Sequence, residues 1–95
     1  MTAPFEPGRG YRLNPDVALR PEPFGALAYH FGTRRLSFLK APDLVDLVRG
    51  LGSYRSVSDA LAAVPDRRRD VYLRALTALA AADMIVPQPE GSEEP

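Results

Sequence analysis

The longest helical pattern of this chain is Asp66-Arg-Arg-Arg-Asp-Val-Tyr-Leu-Arg-Ala-Leu-Thr-Ala-Leu-Ala-Ala-Ala-Asp-Met84. Wound at about 100° per residue, it forms a helix whose core-facing stripe is Tyr72, Leu73, Leu76, Leu79 and Ala80. A second apolar row follows one flank at the spacing i, i+4, i+7, i+11, and its members are Val71, Ala75, Ala78 and Ala82. Polar residues in the middle of the helix are confined to a narrow strip of Asp70, Arg74 and Thr77.

The second row has two interpretations. A surface helix normally buries one stripe and exposes charge elsewhere, so an extra row of small apolar side chains is typical of a groove that a partner fills. Alanine is also the best helix former, and this chain is rich in alanine. The helix alone does not decide between these interpretations.

Composition excludes several classes of protein. The chain has 95 residues and no net charge, which predicts one domain with a modest core and gives no electrostatic case for nucleic acid or a membrane. It has no cysteine, which excludes disulfides, thiolate metal sites and thiol catalysis. The N-terminus lacks a secretory pattern and no apolar run is long enough to span a bilayer. We therefore expect a cytoplasmic protein.

The pattern divides the chain into three parts. Residues 1–10 are rich in Pro and Gly and are predicted to be a flexible N-terminal tail. Residues 87–95 contain Glu90, Glu93 and Glu94 without a basic residue and are predicted to be a flexible acidic tail. Residues 11–86 form the predicted domain, and within it the pattern changes once from strand-like to helix-like.

The first half of the domain predicts three antiparallel strands, Val17–Arg20, Ala26–Phe31 and Arg35–Leu39. Two prolines in the stretch 20–25 predict a turn rather than a ladder there, and Gly32-Thr33 predicts the next turn. Leu27 and Tyr29 alternate to one face, and so do Leu36 and Phe38, which is the spacing of a sheet with one buried side. Which face is the buried one stays open, because a slip of one residue inverts it.

The second half predicts three helices. The first begins near Pro42 and ends at Gly50 and Gly52, the second is capped by Ser56, and the third extends to about Ala82. The predicted fold class is α+β, a three-stranded antiparallel sheet followed by three helices in a winged-helix-like arrangement.

No combination of residues indicates catalysis. The single histidine, His30, has no cysteine partner, so it makes neither a catalytic triad nor a metal site, and we expect it on the surface of a strand. The serines lie in no nucleophile motif. The sequence thus predicts a protein that is not an enzyme and that holds no cofactor or metal.

One basic cluster stands out, Arg67-Arg68-Arg69 at the start of the third helix. Three cations there oppose the helix dipole. The cluster could bind an anion, such as an acidic peptide or a DNA phosphate, or simply point into water, and we favour the second interpretation.

The third strand, Arg35–Leu39, is expected at an edge of the sheet. An edge strand exposes unpaired backbone donors and acceptors. Beside an apolar helix flank, such an edge has the geometry for adding a peptide strand, whose alternate side chains fill the groove. The edge and the second row of the third helix would then be two walls of one site.

The stretches Tyr11–Tyr29, Leu36–Pro42 and Leu76–Val86 resemble the MftB family of mycofactocin biosynthesis chaperones, which are PqqD-like peptide chaperones also called RiPP recognition elements. The resemblance covers roughly residues 11–86. It implies that the leader of a ribosomally made precursor peptide, MftA, binds between the third strand and the third helix as an added strand. The chaperone would then present the precursor to MftC, a radical-SAM maturase, which would hold the iron–sulfur clusters and S-adenosylmethionine.

Carried onto this sequence, the resemblance implies two walls for the peptide site. The strand wall is Arg35, Leu36, Ser37, Phe38 and Leu39, and the helix wall is drawn from Arg68, Val71, Ala75 and Ala78. Which strand residues face the peptide stays open, because a slip of one residue inverts the face.

Two alternatives remain beside the peptide chaperone. A winged-helix DNA-binding domain would use the third helix in a groove and its arginines on phosphate, but the neutral net charge and few base-reading side chains count against it. A dimerising accessory subunit would bury the second row against its own copy. The sequence leaves the oligomeric state open.

Overall fold

Strand pairing divides the fold into two sheets. The computed structural model describes residues 4–89. β1 (Tyr11–Leu13) pairs antiparallel with β5 (Ile85–Pro87), while β2 (Val17–Glu22), β3 (Gly25–His30) and β4 (Leu36–Leu39) form an antiparallel sheet in that order. Between β4 and β5 in sequence lie α1 (Pro42–Gly50), a 3-10 turn (Leu51–Ser53), α2 (Val57–Leu61) and α3 (Asp66–Ala81). The predicted fold class, a three-stranded antiparallel sheet followed by three helices, is confirmed.

The hairpin of β2 and β3 is longer than predicted. Glu22 lies opposite Gly25, so the turn is only Pro23-Phe24, and Pro21 pairs with Ala26 inside the sheet. The prediction that the prolines end the ladder was wrong for Pro21, because β2 is an edge strand and an edge tolerates a proline whose nitrogen faces away from the neighbouring strand.

Gly25 is required where it stands. Its φ is +149°, a conformation that other residues rarely adopt, and a Cβ there would overlap the Leu39 carbonyl oxygen. The close approach lets the end of β4 pack tightly against the start of β3.

The structure decides which face of the three-stranded sheet is buried, a point that the sequence left open. Leu36 and Phe38 are 55% and 61% exposed, whereas Ala26 and Ala28 are fully buried. The helices pack on the side of β3 that carries alanine, where small side chains let the two layers approach closely. The larger residues Leu27, Tyr29, Leu36 and Phe38 consequently lie on the opposite face.

The helices follow the predicted pattern. Ser56 caps α2, since its hydroxyl oxygen accepts from the Asp59 backbone N–H at 3.0 Å. In α3, Tyr72, Leu76 and Leu79 are buried, with Leu73 half-buried beside them. The core stripe of α3 is thus the one expected from its periodicity.

The chain is packed before Tyr11 and after Val86, in stretches that the sequence placed in tails. The ring of Phe5 lies 4.9 Å from that of Tyr11, and the Pro7 carbonyl oxygen accepts from the Ser58 backbone N–H at 2.9 Å. At the other end, the Gln88 N–H donates to the Gly10 carbonyl oxygen at 2.9 Å. Residues 1–3 and 90–95 lie outside the described residues.

His30 is buried rather than on the surface. It is 3% exposed, and its Nδ1 accepts from the backbone N–H groups of Gly32 at 3.0 Å and Thr33 at 3.1 Å. The ring proton is therefore assigned to Nε2, which donates to Asp83 Oδ2 at 3.1 Å. His30 thus joins the turn between β3 and β4 to Asp83, just after the end of α3. The two residues are 53 positions apart in sequence.

Candidate functional site

A groove separates β4 from α3. Its volume is about 290 Å³, and it is lined by Leu36, Ser37, Phe38, Leu39, Leu44, Ala75, Ala78 and Leu79. Six of the nine predicted site residues line this groove. Leu44 and Leu79 were missed because their spacing marks them as members of helix core stripes, which gives no sign that they also form the floor of a groove.

The outer edge of β4 is unpaired within residues 4–89, since the sheet order ends at this strand. The His30 N–H donates to the Arg35 carbonyl oxygen at 3.0 Å, and bonded and non-bonded pairs alternate along an antiparallel ladder. With Tyr29 opposite Leu36, the backbone groups of Leu36 and Phe38 point away from β3. The open edge thus offers two N–H donors and two carbonyl acceptors.

The side chains of β4 divide between two sides of the sheet. Leu39 is 1% exposed and Ser37 is half-buried, and both lie on the side that faces the helices. Leu36 and Phe38 are exposed on the opposite side. The two sides of β4 therefore differ in what a neighbouring strand would contact.

The helix wall of the groove consists of small side chains. Ala78 is exposed and Ala75 is half-buried, so both lie outside the buried stripe of α3. Val71, which belongs to the same row, is 60% exposed but does not line the groove. Within the predicted helix wall, the structure brings Ala75 and Ala78 to β4 and leaves Val71 beyond the end of the groove.

The remaining two predicted residues lie elsewhere. Arg35 precedes β4 and contacts β3 through its carbonyl oxygen. Arg68 lies at the start of α3, where its Nη1 is 3.2 Å from Asp43 Oδ2. Neither side chain lines the groove.

The arginine cluster does not form one anion site. The Arg69 guanidinium donates to the carbonyl oxygens of Leu61 at 2.9 Å and Val64 at 3.0 Å, and it pairs with Asp66 at 2.7 Å. Arg68 contacts Asp43. Two of the three arginines thus contact neighbouring parts of the fold, Arg69 at the end of α2 and Arg68 in the first turn of α1.

A second cleft of about 410 Å³ lies between α1, α2 and the start of α3. Asp43, Asp46, Arg68 and Tyr72 are among its lining residues. It borders no strand, so it offers no unpaired backbone edge to a peptide. Although it is larger, it lacks the feature that makes the groove at β4 a candidate for strand addition.

A model of the peptide chaperone MftB family matches residues 10–86. The chain belongs to this family. It is 52% identical over 86 residues to the peptide chaperone MftB of Mycobacterium tuberculosis, a match that covers 88% of this chain and 79% of that protein. The identity to the peptide chaperone MftB of Mycolicibacterium smegmatis is 49% over 92 residues, with 94% and 90% covered.

The family assignment agrees with the resemblance found in the sequence. The matched range contains both walls of the groove, β4 and α3. No solved structure matches the fold.

Residues 4–89 lack two further kinds of feature. No helix in this range combines the length and the apolar character needed to cross a membrane. No group of three or more His, Asp or Glu side chains in the same range is placed to hold a metal ion.

Proposed function

We propose that this chain is a peptide chaperone that binds the leader region of a ribosomally made, MftA-like precursor as a strand added to β4. It then presents the precursor to an MftC-like radical-SAM maturase. The open edge of β4 beside a groove walled by alanine is the observation that supports this proposal. The two mycobacterial relatives are themselves named peptide chaperones, which supports it as well.

The backbone of the added strand would pair with the N–H and carbonyl groups of Leu36 and Phe38. A peptide strand directs alternate side chains to opposite sides. One set would enter the groove against Leu39, Ala75 and Ala78, where small helix side chains leave room for it. The pairing supplies affinity, and the groove supplies selectivity for side chains.

The second set of peptide side chains would lie beside Leu36 and Phe38. These two residues are more than half exposed, and cross-strand neighbours on one face contribute roughly 0.2–1 kcal/mol per pair. An added strand would place its own side chains beside Leu36 and Phe38, which would explain why these apolar residues are exposed in the peptide-free chain.

The proposal assigns no reaction to this chain. Its one histidine uses both ring nitrogens in hydrogen bonds within the fold, so it is not placed to transfer a proton to a ligand. The chemistry would belong to the maturase, together with its iron–sulfur clusters and S-adenosylmethionine.

Titration of the ¹⁵N-labelled chain with a synthetic MftA-like leader peptide tests the proposal. We expect the largest amide shifts in β4 and in the half of α3 that contains Ala75 and Ala78. Shifts confined to the chain termini, or to the cleft between α1 and α2, would contradict strand addition at β4.

Charge placed in the groove provides a second test. Ala78→Asp and Ala75→Asp each put a carboxylate on the groove wall, and we expect at least a tenfold loss of peptide affinity with a retained circular dichroism spectrum. Thr77→Asp is the matched control, because Thr77 is exposed on the same helix and outside the groove. Equal losses in the control and the groove variants would refute the assignment of this wall.

A further inference from the structure

The face of the three-stranded sheet opposite the helices is apolar. It carries Phe24, Leu27, Tyr29, Phe31, Leu36 and Phe38, which we call the outer face. The side chains form a continuous set: the rings of Phe24 and Phe38 are 5.9 Å apart, and those of Tyr29 and Phe31 are 5.2 Å apart. Nothing in residues 4–89 covers them, and Phe31 and Phe38 are each 61% exposed.

The exposed area is large for a chain of this size. At about 200 Å² for a phenylalanine side chain, the exposed fractions of the outer face leave roughly 400 Å² of apolar surface in water. A patch of a few hundred Å² on a small protein usually marks an interaction site. It is about half of the roughly 800 Å² per partner that a standard stable interface buries, so the outer face needs additional surface to complete an interface.

The added peptide strand supplies that surface. β4 forms one border of the outer face, and a strand paired with β4 would extend the face by its own outward-facing side chains. A protein docked there would contact the chaperone and the peptide together.

Charge at the border indicates what kind of protein fits. Lys40 lines an open pocket of about 400 Å³ with Phe24 and Phe38, and within residues 4–89 its ammonium has no ion-pair partner. Arg20 lies on the same face opposite Leu27, with its side chain 77% exposed and paired to Glu22 at 3.3 Å. Because Glu22 already pairs with Arg20, the cation that favours a partner's carboxylate at this border is Lys40.

We infer that the outer face is the docking surface of the maturase. The maturase surface that contacts it is apolar and brings a carboxylate to Lys40. The inference rests on the proposed function, since the peptide strand completes the interface. Because both proteins contact the peptide, the maturase binds the loaded chaperone more tightly than the empty one, and by linkage it tightens peptide binding equally.

A second copy of this chain fits the face less well. A two-fold interface would bury the same patch on both subunits and nothing besides it. The face alone is also smaller than a stable dimer needs.

The experiment measures binding of the purified maturase to the full chain, with and without the leader peptide, by isothermal titration calorimetry. Phe31→Ser removes an exposed ring that is outside the groove, and Lys40→Glu reverses the border charge. We expect each to weaken maturase binding about tenfold or more, as for interface residues that carry affinity. Arg67→Glu is the matched charge reversal on the exposed start of α3, and we expect it to change maturase affinity less than twofold.

Peptide affinity separates this inference from the function it rests on. We expect Phe31→Ser to bind the leader peptide within twofold of the parent chain, and the peptide to raise maturase affinity at least fivefold. Normal peptide binding with maturase affinity unchanged by both variants refutes the docking surface alone, whereas absence of peptide binding in the parent chain refutes the proposed function. A dimer in sedimentation equilibrium that Phe31→Ser abolishes would assign the face to a second copy and overturn the inference.

Discussion

A proline at position 36 tests strand addition through the backbone alone. The register of β3 and β4 directs the Leu36 N–H to the open edge and the Ser37 N–H toward β3. Leu36→Pro therefore removes a donor that only an added strand would use. Ser37→Pro removes a donor that the sheet itself uses.

The expected magnitudes follow from these positions. Ser37→Pro removes a ladder hydrogen bond and places the ring against β3, and we expect it to lower the free energy of unfolding by roughly 1–3 kcal/mol, the cost of leaving a buried acceptor unsatisfied. Leu36→Pro leaves the ladder intact, so we expect a change below about 1 kcal/mol. Loss of one hydrogen bond to the peptide costs about 0.5–1.5 kcal/mol, which corresponds to roughly a twofold to thirteenfold loss of affinity.

Leu36→Ala separates the backbone effect from the side chain. It removes the 55% exposed leucine side chain and keeps the N–H. The assays are urea unfolding for stability and calorimetry with the leader peptide for affinity. If Leu36→Pro and Leu36→Ala bind the peptide equally, the N–H at position 36 pairs with no peptide strand and the reasoning is wrong.

Two further predictions concern stability. Arg69→Ala leaves the Leu61 and Val64 carbonyl oxygens without their guanidinium donor, and we expect the free energy of unfolding in urea to fall by roughly 1–2 kcal/mol. For the control, Arg67→Ala, we expect less than about 0.5 kcal/mol. Equal losses would contradict a bridging role for Arg69. His30→Ala removes a side chain that is buried and leaves the N–H groups of Gly32 and Thr33 without their acceptor, and we expect a loss of about 2–4 kcal/mol in urea unfolding. Asp83→Asn keeps an acceptor beside His30 at an exposed side chain and should cost less than about 1 kcal/mol; equal losses would contradict a buried structural role for the His30 ring.

The location of the groove was predictable from two independent periodicities. The alternation in residues 35–39 indicated an edge strand, and the spacing of Ala75 and Ala78 indicated an accessible flank on α3. Both are local signals, so one sequence suffices to see them. That the two elements lie side by side is a tertiary fact, which the resemblance supplied and the structure shows.

The face of the sheet was not predictable by the same means. β3 alternates alanine with leucine and tyrosine, so both sides are apolar and the period of two does not say which is buried. Area alone would favour burial of the larger residues, since they remove more apolar surface from water. Close packing of helices on β3 instead selects Ala26 and Ala28, a requirement that only the assembled layers reveal.

Contacts between distant positions were equally hidden. Asp83 has a φ of +63° and follows the end of α3. Its Oδ2 accepts a hydrogen bond from His30 Nε2. No local sequence pattern around His30 or Asp83 indicates that the two residues pair. β1 and β5 pair over only three positions, which is too short for alternation to indicate a strand.

The two edges of the three-stranded sheet explain why the groove lies where it does. On β2, Pro21 is paired with Ala26 and its nitrogen carries no hydrogen, so that edge lacks a donor at one position where an added strand would need it. β4 contains no proline, and both of its outward N–H groups are present. Ala75 and Ala78 lie beside β4 and not beside β2. Helix propensity alone would place alanine anywhere on the exposed side of α3, so it does not account for small side chains beside β4. A peptide strand added between β4 and α3, as proposed, would account for both the open edge and the small side chains.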